Sequence, residues 1–569
     1  MPTRRFQQLL LDHVRTVFPQ LEEVPEQMLT VPPDPAMGDL CLQTFPLAKA
    51  LKQGPPQIAA QLDAGAAELP GFARVEQKGP YLNFFYDPQA LAAAVLDEVR
   101  AQGDNYGSST QGSGQTVVID YSSPNIAKPF GIGHLRSTVI GGALYRLYQA
   151  AGYHVVGINH LGDWGTQFGL LLCAFEEVGD EAALEADPVE YCYRLYVEYS
   201  RKREADETLA ERARQWFKRL EDGDPAAVAL WSKIRELSLL EFQRVYARLG
   251  VSFDYLRGES YYNGLLEQTL ERVRAAGLLR EDQGALIVDL APLDLPPAML
   301  AKSDGASTYL LRDLAAVLSR AEEFHFTRCL YVIGTPQALH MQQLKLVLGK
   351  LGVPWAEGVT HINFGHILGM KTREGNLIFL SDVLDEAAQR SRTKIEENQE
   401  RGWTDADADV DAISQAVGIG AIIFNDLRQN RTHEITFDWE RMLNFEGDSG
   451  PYLQYAYSRT CGILRKGESA VMPDADLAIF AEASDQDRAL LVALGNFATA
   501  VEHAVVEDAP HHLCQYLLEL STVFSRWYTN HQVLGSGEWQ EARLALVHAV
   551  RQALGNGLRL LGMSALERM

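Results

Sequence analysis

The stretch SSPNIAKPFGIGHLRST, residues 122–138, follows the strand-like TVVIDYS and runs into a helical pattern that starts at about His134. Pro124 and Pro129 stiffen this loop, Gly131 and Gly133 allow close approach to the backbone, and His134 falls in the first turn of the helix. A helix N-terminus offers unpaired N–H groups and a positive dipole end, so phosphate is favoured there; the His134 imidazole and Lys128 ammonium add donors. Two glycines alone would equally serve as the tight turn of any doubly wound protein.

Outward from this loop the strand–helix alternation continues through YHVVGINH, GDWGTQFG, YLLRDLAAVLSRAEEF, RCLYVIGT and VTHINFGHI. Alternation of that kind predicts a parallel sheet with crossover helices. A charged helical stretch from about Asp187 to Leu249 interrupts it, and ALIVDL is read as the point where the pattern resumes. From about Ser381 onward the periodicity is almost wholly helical. At the other end, Phe6, Leu9, Leu10, Val14 and Val17 share one helical face, and GPYLNFFYD at residues 79–87 reads as a strand. The segment GDNYGSSTQGSGQ, residues 103–115, has the composition of a flexible connector. The expected organisation is an N-terminal α+β domain (1–110) and an α/β Rossmann-like parallel-sheet catalytic domain (111–380) with a helical insertion at about 187–283. A helical connector (381–446) and a C-terminal all-α bundle (447–569) complete it.

At 569 residues the chain exceeds one hydrophobic core, and 47% hydrophobic residues suit a folded protein throughout. No apolar run approaches the ~20 residues of a membrane span, and the opening lacks a signal-peptide pattern, so no membrane partner and a cytoplasmic location are expected. Cys41, Cys173, Cys192, Cys329, Cys461 and Cys514 are scattered, which predicts free thiols and no structural zinc or other bound metal. The net charge of −24 lowers the expectation of a nucleic-acid partner only modestly, because selected cations can still line one face.

The 122–138 string resembles the HIGH signature region of arginyl-tRNA synthetases, with Gly131 where the first signature histidine usually stands and Gly133 and His134 retained. GMKTREGN, residues 369–376, resembles the second ATP loop of class I synthetases, with Glu374 in place of its later lysine. In family members of that kind a lysine ahead of the HIGH region is thought to substitute, and Lys128 occupies such a place. The resemblance implies ATP contacts at Gly131, Gly133, His134, Gly334, Met370 and Lys371, catalysis by His134, Lys128 and Lys371, and Mg²⁺ carried in with ATP.

In KSDGASTYLLRDLAAVLSR, residues 302–320, Tyr309 and Asp313 lie four apart and share a helix face. A carboxylate with a phenol suits the five-donor guanidinium fork, although Asp313 could instead pair with Arg312 or Arg320 on the surface. The string resembles the family's arginine-binding helix, and YVIGTPQALHMQQL, residues 331–344, resembles the segment after it. By that resemblance Tyr309, Asp313 and Glu259 read the guanidinium, while Ser123, Asn125 and Gln337 hold the α-amino and carboxylate groups. HLGDWGTQFG, residues 160–169, resembles a family element near the substrates; its His160 and Asp163 could equally make a structural turn.

In GDSGPYLQYAYSRTCGILRK, residues 447–466, a helix starting at Pro451 sets Tyr452, Tyr455 and Arg459 on neighbouring faces, where they could stack on unpaired bases or simply pack a core. From 447 to the end nine Lys plus Arg face fourteen Asp plus Glu, so charge does not decide between these. The string resembles the opening of the family's anticodon-binding domain, which adds Tyr528 and Met569 as contacts. MGDLCLQTFPLAKAL and GPYLNFFYD resemble the family's additional N-terminal domain, which touches tRNA. The implied activity is arginine–tRNA ligation with ATP, L-arginine and the tRNA for arginine as partners, by a monomer. The competing readings are a class I synthetase for another amino acid and a catalytically impaired RNA-binding paralogue.

Overall fold

The apolar run Val117–Val118–Ile119 has no polar alternation, as a strand covered on both faces requires. In the structure, a computed structural model describing residues 2–128, 130–368, 378–400 and 409–569, it forms the middle of a five-stranded sheet. Strand Thr116–Asp120 has His154–Asn159 and then Tyr255–Leu256 on one side, and Arg328–Tyr331 and then Val359–His361 on the other, all parallel. Chain order therefore reverses between Thr116–Asp120 and Arg328–Tyr331. A crevice outside the C-terminal ends of two such strands is where doubly wound folds bind ligands.

Helix Leu135–Ala150 leads away from that crevice and is buried on nearly every side, including Arg136, Ser137 and Thr138. The sheet lies against one side of it and helices Val410–Leu427, Phe497–Val506 and Gln540–Leu561 against the others. Gly141 is required there, since a Cβ would run into the Tyr121 ring. Val410–Leu427 and the stretch Asp485–Val506 match a membrane span in length and apolarity; many of their apolar residues, among them Val417, Ile422, Leu490 and Val501, pack inside the protein.

The N-terminal module packs helix Pro2–Val17, through Phe6, Leu10 and Val14, against a four-stranded antiparallel sheet in the order Leu29–Thr30, Leu40–Gln43, Tyr81–Tyr86, Phe72–Lys78. The C-terminal region is helical, with Gly450–Lys466, His511–Asn530 and Gln540–Leu561 as its longest members.

Three expectations are corrected. ALIVDL does not enter the parallel sheet: Ala285–Val288 is the middle strand of a separate antiparallel sheet between Leu279–Asp282 and Ala298–Ala301. Gln283 and Gly284 both adopt positive φ, 49° and 81°, which is the two-residue turn that closes a hairpin and forbids a crossover. The range read as helical insertion also contains Tyr255–Leu256, a strand of the parallel sheet. The glycine- and serine-rich segment 103–115 is docked. Tyr106 is buried and donates its hydroxyl to Leu494 O at 2.7 Å, while Ser109 N and Gly112 N donate to Ala150 O and Ala151 O. Its Gly107, at φ 95°, lies against the Phe497 ring where no side chain fits, so here glycine serves packing.

Candidate active site

The loop after Thr116–Asp120 holds three non-glycine residues in the left-handed region: Ser122 (φ 73°), Ser123 (φ 48°) and Ala127 (φ 60°). Each such residue costs about 1–3 kcal/mol and persists only where neighbours over-determine it. Here they do. Ser122 N donates to Ser137 Oγ (2.8 Å), Ser122 Oγ shares a hydrogen bond with Tyr246 OH (2.8 Å), and Ser123 N donates to Asn159 Oδ1 (3.2 Å). Ile126 N donates to Gly162 O and Gly162 N to Pro124 O, which clamps Asn125 beside the 160–169 segment.

This geometry sets the state of His134. Its Nδ1 lies 3.2 Å from Ser122 O, and because a carbonyl only accepts, Nδ1 carries the proton and Nε2 is left for a ligand. Burial pushes the His134 pKa down, so the free site holds a neutral ring. Around Gly133, where a Cβ would stand, there is open space, which fits close approach of a ligand to the backbone. Gly131 forms an antiparallel bridge with Phe379; Ile132 N donates to Ile378 O (3.1 Å) and Leu380 N to Phe130 O (2.8 Å). The chain just beyond the second expected ATP loop is therefore stitched to the first. Met370 and Lys371, with the rest of that loop, lie outside the described residues. Gly334 follows the neighbouring strand and bridges to Phe364. Lys128 Nζ lies 5.3 Å from the centre of the Tyr196 ring, on the inserted helix Pro188–Ala205.

Across the crevice, a chain of charge runs from the central strand to the helix Tyr309–Phe324. Asp120 pairs with Arg320 at 2.8 Å, both almost wholly buried; Arg320 Nη2 lies 3.3 Å from His160 Nδ1, and His160 Nε2 lies 3.9 Å from Asp313. Asp313 also meets His340 Nε2 at 2.6 Å. Burial pushes the Asp313 carboxyl up, but the His340 hydrogen bond and the nearby His160 and Arg320 outweigh it, and the net direction is downward. Asp313 is thus a half-buried carboxylate held in its ionised form. It pairs with neither arginine weighed as a surface partner, because Arg320 is committed to Asp120 and Arg312 to Glu259 at 2.7 Å.

Glu259 behaves differently. Burial pushes its carboxyl up to about 7 against the pull of Arg312, with Asp313 and Asp163 adding negative charge nearby. Two carboxylates with opposite shifts, both half-buried, suit an incoming cation. Tyr309, one turn before Asp313 on the same helix, is 69% exposed, and Gln337 is exposed at the start of helix Ala338–Lys350. Asp163 is a structural bolt: it accepts from Arg235 Nε, Ser260 N and Ser260 Oγ at 2.8–2.9 Å and so fixes the segment next to Glu259. Of the two residues left open in HLGDWGTQFG, His160 lies beside Asp313 and Asp163 holds the frame.

Arg320, Asp120 and His340 escaped the sequence reading as parts of this site. The available signal was spacing, since His340 lies three residues after Gln337 and Arg320 seven after Asp313, and both spacings return to one helix face.

In the C-terminal region Arg459 lies over the Tyr455 ring at 4.8 Å and donates to its hydroxyl at 3.3 Å. Tyr455 and Met569 pack on one small cluster with Ile395, Ile413 and Val417, so the last residue of the chain sits beside that pair. Tyr452 is half-buried one turn earlier. Tyr528, on His511–Asn530, is 37% exposed and stacks on Phe524 of its own helix.

A parallel sheet whose first crossover helix opens on this glycine–histidine loop, joined to a helical domain, follows the plan of the class I aminoacyl-tRNA synthetases. The family model described as tRNA synthetases class I (R), catalytic domain, matches residues 96–439. The arginyl tRNA synthetase N terminal domain matches 4–86 and the DALR anticodon binding domain 453–569. The chain is 41% identical to the arginine–tRNA ligase of Clostridioides difficile over 554 residues, covering 96% of each chain. It is 40% identical to that of Streptococcus suis over 573 residues, 99% of each. The solved Thermus thermophilus arginyl-tRNA synthetase aligns at a TM-score of 0.83 and 26% identity over the full length of both chains. The chain belongs to the arginyl-tRNA synthetase family, and it is an ATP-dependent aminoacyl-tRNA ligase that joins arginine to tRNA.

Proposed function

We propose that ATP lies over Gly131, Gly133 and Gly334 with its phosphates at His134, and that arginine lies with its guanidinium toward Asp313 and Glu259. The observation that carries this reading is the run of polar contacts Ser123–Asp120–Arg320–His160–Asp313, which links the loop after the central strand to a half-buried, ionised carboxylate. Ser123, Asn125 and Gln337 take the α-amino and carboxylate ends, and Tyr309 closes over the guanidinium from its exposed position. Lys128 leaves Tyr196 to meet the polyphosphate, where Met370 and Lys371 join it. Mg²⁺ bound with ATP would spread the charge of its phosphates.

The arginine carboxylate then attacks the α-phosphorus, pyrophosphate leaves, and a hydroxyl of the terminal adenosine of tRNA takes the arginyl group from the adenylate. No side-chain nucleophile is needed, so the protein works by positioning and by stabilising charge. As anions approach, His134 gains a proton at Nε2 while Nδ1 keeps its bond to Ser122 O, so the ring becomes a double donor. Residues 1–110 and 447–569 hold the tRNA, with Tyr452, Tyr455, Arg459, Tyr528 and Met569 at the anticodon. The chain acts as a monomer in the cytoplasm.

The test is ATP–pyrophosphate exchange with arginine and cognate tRNA. His134→Ala should lower the exchange rate by about 10²–10³-fold, as loss of one transition-state donor does elsewhere, with an unchanged circular dichroism spectrum. A rate within about threefold of the parent would remove His134 from the reaction.

Glu259 supplies a pH test. Near pH 7 its carboxyl is about half protonated in the free enzyme, given a pKa of about 7, and a bound cation requires the ionised form. Arginine binding should therefore expel a proton, and KM for arginine should fall as pH rises from 6 to 8, by up to about tenfold per unit below 7 and less above. Glu259→Gln should flatten that slope; a parent enzyme whose arginine KM does not change between pH 6 and 8 contradicts the assignment.

A further inference from the structure

We propose that Asp508 is a positioning residue for the activation step, holding both ATP-loop elements from the side of the helical C-terminal domain. Asp508 lies in the turn between helices Phe497–Val506 and His511–Asn530, buried and with a left-handed backbone at φ 50°. Its Oδ1 accepts from Tyr148 OH at 2.5 Å and from Arg328 Nη1 at 3.2 Å, and its Oδ2 from Arg328 Nη2 at 2.7 Å. Arg328 also donates to the Tyr148 hydroxyl. The carbonyl of Asp508 accepts from Arg431 Nε at 3.1 Å.

Each partner leads to the nucleotide site by a different route. Tyr148 belongs to the helix Leu135–Ala150, 14 residues beyond His134, which is about 21 Å along a largely buried helix. Arg328 opens the strand that ends before Gly334. Arg431 donates to Asn363 O and Oδ1, both at 2.8 Å, and its carbonyl accepts from Gly365 N at 3.0 Å, four residues ahead of the second ATP loop. One carboxylate and its own carbonyl thus tie the helix that presents His134, the strand that presents Gly334 and the approach to the second loop to a single turn of the tRNA-binding end. Burial and the adjacent Asp508 raise the Tyr148 pKa, so its hydroxyl remains a donor. The inference rests on ATP lying at His134, and the His134→Ala measurement tests that placement separately: no effect there would remove the placement whatever Asp508 variants do.

The experiment uses the full chain with ATP, arginine and cognate tRNA. Asp508→Asn keeps the size and the left-handed preference of the turn and removes the charge. Tyr148→Phe removes one hydroxyl and leaves the ring packed. Asp508→Asn should lower the exchange rate about tenfold and raise KM for ATP, with KM for arginine within about twofold of the parent; Tyr148→Phe should follow in the same direction by about threefold. If Asp508→Asn does not fold, Tyr148→Phe decides. The proposal is overturned if both variants keep rates within about twofold, or if the loss is wholly a smaller fraction of active protein by active-site titration with KM for ATP unchanged.

Discussion

Asparagine in place of Asp313 should reduce kcat/KM for arginine by roughly 10²–10⁴-fold, because truncating one partner of a hydrogen-bonded charge pair that the bound substrate covers costs about 2–5 kcal/mol or more. The structure explains why no neighbour can substitute. Of the other carboxylates, Asp120 is held by Arg320 and Glu259 by Arg312, and Glu259 is itself pushed toward its neutral form by burial. Asp313 is the carboxylate whose surroundings hold it ionised, with His340 at 2.6 Å and His160 at 3.9 Å. The loss should appear in KM for arginine and in kcat, with KM for ATP little changed. Discrimination should also shrink, since citrulline carries a neutral group of the same shape and the variant no longer penalises it. An Asp313→Asn enzyme with parental arginine kinetics would remove the guanidinium from this helix.

The second large effect concerns stability. Arg136, two residues after His134, is buried and lies 3.2 Å from the equally buried Asp426, while its Nη1 donates to Gly365 O and His433 O at 2.8 Å each. Arg136→Leu leaves Asp426 alone in the core, which costs about 3–5 kcal/mol. A chain of several domains does not unfold as one unit, so the reading is an earlier first thermal transition and faster limited proteolysis. The pH dependence has a definite sign. Burial already raises the Asp426 carboxyl despite Arg136, and the substitution raises it further. A carboxyl whose folded value lies above its unfolded one keeps a proton that the unfolded chain has released. Its native state is therefore favoured at low pH and loses that advantage as pH rises through the window. The variant should melt lower at pH 8 than at pH 5.5. Arg136→Leu combined with Asp426→Leu should recover much of the stability, because an apolar pair of similar volume replaces a desolvated ion pair at little cost. A single variant that melts like the parent at pH 8 would show that Asp426 finds another partner.

Much of the candidate site was legible from the residues because its parts are local. The glycine–histidine loop, the four-residue spacing of Tyr309 and Asp313 and the tyrosine–arginine spacing at Tyr455 and Arg459 all lie within one turn or one helix. Where the reading failed, a local signal had two outcomes. Glycine and serine at 103–115 look like freedom, yet Tyr106 buries its ring and Gly107 is small because Phe497 is adjacent. ALIVDL has the apolar character of a buried parallel strand, but the Gln283–Gly284 turn ahead of it closes a hairpin instead.

The sequence by itself determined the strand–loop–helix cradle, the division into sheet-bearing and helical regions and the candidate carboxylate, because backbone preferences and 3.6-residue spacing are written in neighbouring residues. Only the tertiary structure decided which charges pair: Asp120 with Arg320, Arg136 with Asp426 and Arg328 with Asp508 are separated by about 180 to 290 residues. An ion pair is chosen by burial and distance in space, and neither quantity is carried by position along a chain.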